Sequence, residues 1–164
     1  MDVNCRATEA YDEEAARPLH SACYSSSRNS ATIVELLVEN GADSNQCYNG
    51  VPVLHDLCKC PHRPRFPYYY SLDSGLDKSS LKRCTQARQV LVSNGAHVKA
   101  EDEDGRTPLH CLVDSLAAKD ADCDIRPCPK NFVTAGACIL AKYKQGKSPT
   151  DLASGEVLDE LQRT

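Results

Sequence analysis

A group of sulfur and imidazole side chains in the first half of the sequence has the composition of a metal site. Cys58, Cys60 and His62 follow one another at two-residue intervals, and Cys84 could supply a fourth ligand. Three thiolates and one imidazole would bind zinc tetrahedrally, but this spacing is not among those common in zinc sites. We therefore predict no metal and no cofactor, and we keep a zinc-stabilised interaction domain as an alternative.

Three of the five histidines occupy one recurring position, which argues against catalysis. His20, His55 and His110 each close a four-residue motif of similar sequence. Recurrence at one position indicates an architectural role for these side chains. The sequence also has no Gly-rich phosphate loop and no paired-carboxylate motif. We therefore predict that the chain is not an enzyme and has no catalytic residue.

A run of four acidic residues precedes the third histidine motif. It comprises Glu101, Asp102, Glu103 and Asp104. A run of like charge is usually a solvated surface. The alternative is a surface that favours a basic protein partner and steers it towards the chain.

A long segment between the second and third histidine motifs is basic and rich in tyrosine and proline. It spans about residues 60–83, and its prolines forbid a continuous helix. One interpretation is a surface loop that tolerates insertion. The other is a binding finger, because Tyr and Arg are favoured at interface hot spots. Its candidate contacts are Tyr68, Tyr69 and Tyr70.

Size and charge narrow the function classes. The 164 residues suffice for one domain with a core, and the net charge of −4 argues against a nucleic-acid partner. No apolar run approaches the ~20 residues that span a bilayer, and the N-terminus does not resemble a signal peptide. We expect a cytoplasmic or nuclear protein whose ten cysteines are mostly reduced and structural.

Two short motifs alternate along the chain and define internal repeats. The first series precedes predicted helices and comprises Arg17-Pro18-Leu19-His20, Pro52-Val53-Leu54-His55, Thr107-Pro108-Leu109-His110 and Ser148-Pro149-Thr150-Asp151. The second series comprises Asn40-Gly41-Ala42-Asp43, Asn94-Gly95-Ala96-His97 and Ala135-Gly136-Ala137-Cys138. The repeated unit is therefore a pair of helices followed by a glycine turn.

The residue types suit such a helix pair. Thr107 can cap a helix through its hydroxyl, and Pro108 fits the first helical position. Leu109 would point into the core, and His110 could bridge to neighbouring loops by hydrogen bonds. In the second helix of the first repeat, three apolar residues share one face. They are Ile33, Leu36 and Leu37, and Gly41 after them suits a left-handed helix end.

Three longer stretches carry a resemblance to the ankyrin repeat. Residues 103–110 resemble the start of such a repeat, and residues 33–45 resemble its second half. Residues 136–142 with 145–149 match the junction between repeats. The resemblance implies an all-α solenoid of stacked helix-turn-helix units. Because the helix starts are spaced by 35, 55 and 41 residues, against about 33 in the family, it also implies irregular insertions within repeats.

The resemblance divides the chain into one domain with five parts. These are a lead-in or end of a preceding repeat at 1–16, repeats at 17–49, 50–104 and 105–145, and a partial capping repeat at 146–164. Inserts are predicted at about 60–83 and about 118–131. Pro127 and Pro129 should break or shorten the second helix of the third repeat. Asp2-Val3-Asn4 reads like the tail of a preceding repeat, so the array could begin upstream.

The resemblance further implies a module that binds another protein through loop tips and a concave helix face. The predicted tip contacts are Tyr48, Asn49, Glu101, Asp102, Glu103, Asp104, Tyr143 and Lys144. The predicted concave-face contacts are Ser21, Tyr24, Asp56, Lys59 and Asp114. Asn45 matches a position that an asparaginyl hydroxylase modifies in many ankyrin repeats.

Rival interpretations concern the partner. The alternative function is the substrate receptor of a ubiquitin ligase of the SOCS-box ankyrin type, although no such box precedes Thr164. A host-interacting protein of a pathogen is a further option. We expect a monomer that binds a protein and neither nucleic acid nor membrane.

Overall fold

The computed structural model describes residues 3–4, 17–23, 25, 27, 29–48, 50–59, 78–117 and 127–163. These ranges contain four pairs of helices and one hairpin. The helices are α1 (Pro18–Cys23), α2 (Ser30–Glu39), α3 (Val53–Cys58), α4 (Lys78–Ser93), α5 (Pro108–Ala117), α6 (Pro127–Thr134), α7 (Pro149–Leu152) and α8 (Gly155–Gln162). The predicted all-α fold is confirmed.

The helices form two stacked layers. The first helices pack in chain order, α3 against α5 and α5 against α7. The second helices pack in the same order, from α2 through α4 and α6 to α8. Within a repeat the two helices also contact each other, as α1 with α2 and α3 with α4. Each repeat therefore buries its apolar side chains mainly against its neighbours.

Equivalent leucines form the core of the first layer. Leu19, Leu54 and Leu109 occupy the same motif position, and all three are buried. In the second layer Val34, Leu91 and Phe132 are buried in successive helices. The prediction that Leu109 points into the core is thus confirmed.

The only strands that the structure describes form a short hairpin ahead of α3. β1 (Cys47–Tyr48) pairs antiparallel with β2 (Val51–Pro52), and Cys47 lies opposite Pro52. Gly50, between the strands, has a φ of +74°, which suits the Asn-Gly sequence of a tight hairpin turn. Tyr48 therefore lies at the base of a loop tip.

Three helix starts and ends bear on the sequence predictions. α5 begins at Pro108 and Gly41 has a φ of +88°, as predicted. α6 begins at Pro127, so both prolines fall in its first turn, where a missing N–H costs little. α6 is accordingly shortened to 8 residues, against 10 in α2.

The insert predicted at about 60–83 includes a helical segment at its end. α4 begins at Lys78, so residues 78–83 are helical. When Gly41 is aligned with Gly95, these six residues precede the part of α4 that matches α2, and the predicted boundary at Arg83 remains a prediction. The bulk of this insert, residues 60–77, lies outside the described residues, as do residues 118–126 of the insert predicted at about 118–131.

The apolar face predicted for α2 is only partly buried. Leu37 packs against the core, but Ile33 is 39% exposed and Leu36 is 53% exposed. The residue of this helix that is fully buried is Val34. The spacing of apolar residues therefore named two residues that are exposed, Ile33 and Leu36, and missed the buried Val34.

Candidate functional site

His110 is held as a neutral ring by hydrogen bonds on both nitrogens. Its Nε2 lies 2.9 Å from the carbonyl oxygen of Ala141, in the loop that leads to the next repeat. Its Nδ1 accepts the backbone N–H of Thr107 and lies 2.8 Å from the Thr107 hydroxyl. Burial lowers the pKa of His110. The predicted bridge from His110 to a neighbouring loop is confirmed. The Thr107 hydroxyl contacts the imidazole ring.

His55 forms a hydrogen bond through only one of its two ring nitrogens. Its Nε2 lies 3.0 Å from the carbonyl oxygen of Arg106, one repeat further along the chain. Its Nδ1 has no hydrogen-bond partner among the described residues. The position of Thr107 is taken here by Pro52, which has neither an N–H nor a hydroxyl. Burial again lowers the pKa of this histidine.

His20 is buried beside a carboxylate. Burial lowers its pKa to about 4, although the Asp56 carboxylate opposes the shift from 4.0 Å away. Asp56 was predicted to face a partner, but its side chain is 15% exposed and lies against this ring. The three histidines therefore act in the architecture of the stack, as their recurrence indicated.

Asparagines join successive glycine turns. The backbone N–H of His97 donates to Oδ1 of Asn45 over 2.7 Å, across the first and second repeats. The N–H of Asp43 donates in the same way to Oδ1 of Asn4 over 2.9 Å. Asp43 and His97 both follow a Gly-Ala pair, so the two bonds are equivalent. Asn4 therefore bonds to the first glycine turn in the way that Asn45 bonds to the second.

One carboxylate of the acidic run is used inside the molecule. Asp102 Oδ2 lies 2.9 Å from Nζ of Lys59. Its Oδ1 accepts the backbone N–H groups of Asp104 and Arg106. Burial works against ionisation, but the Lys59 ammonium and these N–H groups outweigh it and lower the pKa of Asp102. Asp102 and Lys59, both predicted partner contacts, bind each other.

A second ion pair joins the end of the same loop to helix α5. Arg106 Nη2 donates to Asp114 Oδ2 over 2.8 Å. The same guanidinium lies 5.4 Å from the centre of the Tyr143 ring. That ring also meets His110 edge-on at 5.4 Å between ring centres. Tyr143 is therefore packed between repeats and is half-buried.

Two adjacent loop tips carry opposite charge. The acidic tip, residues 101–106, exposes Glu101, Glu103 and Asp104. The basic tip, residues 142–147, exposes Lys142, Lys144 and Lys147. The tips are tied together because the backbone N–H of Lys144 donates to the Asp104 carbonyl over 3.1 Å. Nζ of Lys144 also donates to the Glu103 carbonyl.

Comparison with known families agrees with this architecture. The family model described as the ankyrin repeat matches residues 17–49, which hold α1, α2 and the first glycine turn. Residues 17–49 of this chain are an ankyrin repeat. Ankyrin repeats serve in general as protein-interaction modules and are generally non-enzymatic. A comparison with curated proteins gave no match.

The predicted partner contacts divide into exposed and internal positions. Exposed ones are Ser21, Lys59, Glu101, Glu103, Asp104, Asp114 and Lys144. Those turned inward or partly covered are Asp56, Asp102 and Tyr143. Those outside the described residues are Tyr24, Asn49, Tyr68, Tyr69 and Tyr70. Tyr48 lies in β1.

Asn45 has a structural role that bears on its predicted hydroxylation. Its side chain is half-buried and its Oδ1 holds the N–H of His97. Its own N–H donates to Asp43 Oδ1 over 2.9 Å, which closes an Asx turn. A hydroxylase would therefore have to open the junction between two repeats. Hydroxylation of Asn45 remains a prediction.

Burial limits the reactivity of two cysteine thiols. Burial raises the pKa of the Cys111 thiol to about 11 and also raises the pKa of Cys23, so both thiols stay protonated. Cys60 and His62, two of the four candidate zinc ligands, lie outside the described residues. Within the part that is described, no group of three or more possible ligands could hold a metal ion. None of the described helices combines the length and apolar character of a membrane span.

Sequence reasoning missed Arg88. This arginine is 3% exposed and sits where the first repeat has the core residue Val34. Its Nη1 donates to the Leu57 carbonyl at the end of α3 over 3.3 Å, and Nη2 donates to the Thr85 hydroxyl over 3.1 Å. The signal was available, because aligning Gly41 with Gly95 places Arg88 on Val34.

Proposed function

We propose that the chain binds a protein partner across its acidic and basic tips, with the edge of the concave helix face as the floor of the site. The observation that carries this proposal is the pair of hydrogen bonds from Lys144 to Asp104 and Glu103. These bonds hold two oppositely charged tips side by side. Preorganised charges lose less entropy on binding than mobile ones do.

The exposed charges define the partner's chemistry. The acidic tip has three exposed carboxylates, and the basic tip has three exposed ammonium groups. A partner that fits both tips carries a basic patch beside an acidic one. Such complementarity raises the association rate and discriminates among partners more than it raises affinity.

The floor of the site is held by internal ion pairs. Lys59 is paired with Asp102, and Arg106 with Asp114, yet the side chains of Lys59 and Asp114 are 38% and 54% exposed. A partner can contact these exposed groups without burying an unpaired charge, because each already has a counter-ion. This favours the concave edge as part of the interface.

The test reverses the charge of the acidic tip. The triple variant Glu101→Lys, Glu103→Lys, Asp104→Lys would be compared with the parent chain in affinity purification from lysate, followed by binding kinetics with the recovered partner. We expect the association rate to fall at least tenfold at low ionic strength and the difference to shrink with added salt.

The control makes the same charge change elsewhere. Glu35, Glu39 and Asp159 are exposed on α2 and α8, and reversing all three should leave binding unchanged. Equal losses in both triple variants would mean that net charge alone matters. Full binding by the tip variant would show that the acidic tip is not part of the interface. The receptor role in a ubiquitin ligase and the contacts at Tyr68 to Tyr70 remain predictions.

A further inference from the structure

The acidic tip and the basic tip share one backbone conformation. In each tip the N–H of the second residue donates to the carbonyl of the sixth. These bonds join Asp102 to Arg106 over 3.0 Å and Tyr143 to Lys147 over 3.2 Å. The fifth residue of each tip is a glycine, with φ angles of +75° and +77°. The two tips are therefore the same loop structure, one repeat apart.

Equivalent positions of the two tips carry opposite charge. Glu101 is equivalent to Lys142, and Glu103 is equivalent to Lys144. The acidic tip holds four carboxylates and one guanidinium, hence a net charge of −3. The basic tip holds three ammonium groups and no carboxylate, hence a net charge of +3. Two loops of one shape thus carry equal and opposite charge.

The two tips do not neutralise each other through direct ion pairs. Nζ of Lys144 donates to the backbone carbonyl of Glu103. In the part of the chain that the structure describes, no ion pair joins a carboxylate of the acidic tip to an ammonium group of the basic tip. The side chains of Glu101, Asp104, Lys142 and Lys147 are exposed. Both sets of charge are therefore accessible to a partner.

We infer that the partner of the two tips is a second copy of this chain, related to the first by a two-fold axis that passes between the tips. This inference rests on the proposed function, which requires a partner with a basic patch beside an acidic one. The tip surface of the chain itself has this pattern. The axis would place the acidic tip of each copy against the basic tip of the other.

The shared loop structure favours a two-fold arrangement. In a two-fold interface, a contact between two residues is repeated with the copies exchanged. Because the tips have one conformation and opposite charge, both halves of the interface pair an acidic loop with a basic one. Exposed ion pairs contribute little each, and an interface of two tips is small. We therefore expect a weak dimer, with the monomer expected from the sequence at low concentration.

Sedimentation velocity of the purified chain over a concentration series would test the inference. We expect the parent chain to form a dimer as its concentration rises at low ionic strength. The dissociation constant should increase by about tenfold or more in high salt, because the facing charges are exposed and are screened. A reductant would be present throughout, since the thiols of Cys47 and Cys138 are exposed.

Two charge-reversed variants make the test specific to the tips. The first is Glu101→Lys with Glu103→Lys, and the second is Lys142→Glu with Lys147→Glu. Each variant alone should remain a monomer, because its two tips then have the same sign of charge. An equimolar mixture should form a heterodimer, since every facing pair of tips is again complementary. Formation of the heterodimer also shows that both variants are folded.

The matched control reverses two charges away from the tips. Glu35→Lys with Glu39→Lys changes exposed residues of α2 and gives the same net charge as the first tip variant. This control should form a dimer as the parent does. Mixed with the second tip variant, it should form far less heterodimer than the first tip variant does.

Three results would overturn the inference. They are a parent chain that stays a monomer at every concentration, a dimer that persists in both tip variants, and tip variants that do not combine. A dimer that is lost in Ile33→Glu with Leu36→Glu and kept in the tip variants would belong to the exposed apolar residues of α2. The proposed function would survive each of these results, because its own test measures a different protein recovered from lysate.

Discussion

At the residue scale, His110 and His55 show what one motif position contributes. The two imidazoles bridge to the next loop with the same nitrogen, but only His110 finds donors for the other. The cause is the substitution of Thr107 by Pro52 in the equivalent place. A side chain that recurs at one motif position therefore contributes differently to stability in two repeats of one chain.

Removing the Thr107 hydroxyl should measure this value. Thr107→Val keeps the shape and the backbone N–H but removes the O–H beside His110 Nδ1. We expect the free energy of unfolding to fall by about 1–2 kcal/mol, since a buried hydrogen bond is lost. Urea unfolding would measure it. Thr107→Ser, which keeps the hydroxyl, should fall by clearly less, and equal losses in both variants would assign the effect to packing.

The lowered histidine pKa values predict how stability depends on pH. The pKa of His20 falls from 6.5 to about 4 on folding, so the unfolded state binds more protons between these values. Stability is therefore complete above about pH 6.5 and declines as the pH falls towards 4. The lowered pKa of His20 alone corresponds to at most about 3 kcal/mol of the free energy of unfolding. Burial of His55 and His110 lowers their pKa values and acts in the same direction.

Urea unfolding at pH 7 and pH 5 would check this dependence. The midpoint should be lower at pH 5, and His20→Gln should reduce the difference. His97 is exposed, so His97→Gln is the control that should leave the difference unchanged. Stability that is constant or rises from pH 7 to pH 5 would contradict the assignment of neutral, buried imidazoles.

At the element scale, α3 and α4 are joined by a buried cation. Arg88 caps the end of α3 through the Leu57 carbonyl, where the negative end of the helix dipole favours a positive charge. Its Nε, however, has no hydrogen-bond partner among the described residues. The desolvation of a guanidinium costs several kcal/mol in real proteins. We therefore expect the net contribution of Arg88 to stability to be small or negative.

Two substitutions of Arg88 should differ in sign. Arg88→Leu restores an aliphatic side chain at the position of Val34, and we expect the free energy of unfolding to equal or exceed that of the parent. Arg88→Ala leaves a cavity and should be about 2–3 kcal/mol less stable than the leucine variant. Urea unfolding would compare them. A leucine variant that loses more than about 1 kcal/mol would show that the cap on α3 outweighs the cost of burial.

At the scale of the whole molecule, the sequence predicted the order of the stack well. Proline, leucine and histidine at fixed offsets marked the helix starts, and Gly-Ala pairs marked the helix ends, because these residue types have few alternative roles. The starts of α5 and α7 and the burial of Leu109 were predictable on that basis.

Contacts between repeats were not predictable in the same way. The pairing of Lys59 with Asp102 depends on how two loops meet across a segment of irregular length. Spacing shows which face of α2 is apolar, but the exposure of Leu36 depends on whether a neighbour lies there. The helical start of α4 was hidden because residues 78–83 carry no apolar stripe. Long-range contacts decide these features, and local pattern does not contain them.

The unequal lengths of the second helices have a mechanical consequence. α4 has 16 residues and begins six positions before the level at which α2 begins, when Gly41 is aligned with Gly95. At the rise of an α-helix this adds about 9 Å of rod. The first six residues of α4 therefore lengthen this helix ahead of the part that is level with α2. A force applied at Lys78 would act on the rest of α4 with a lever arm of about that length.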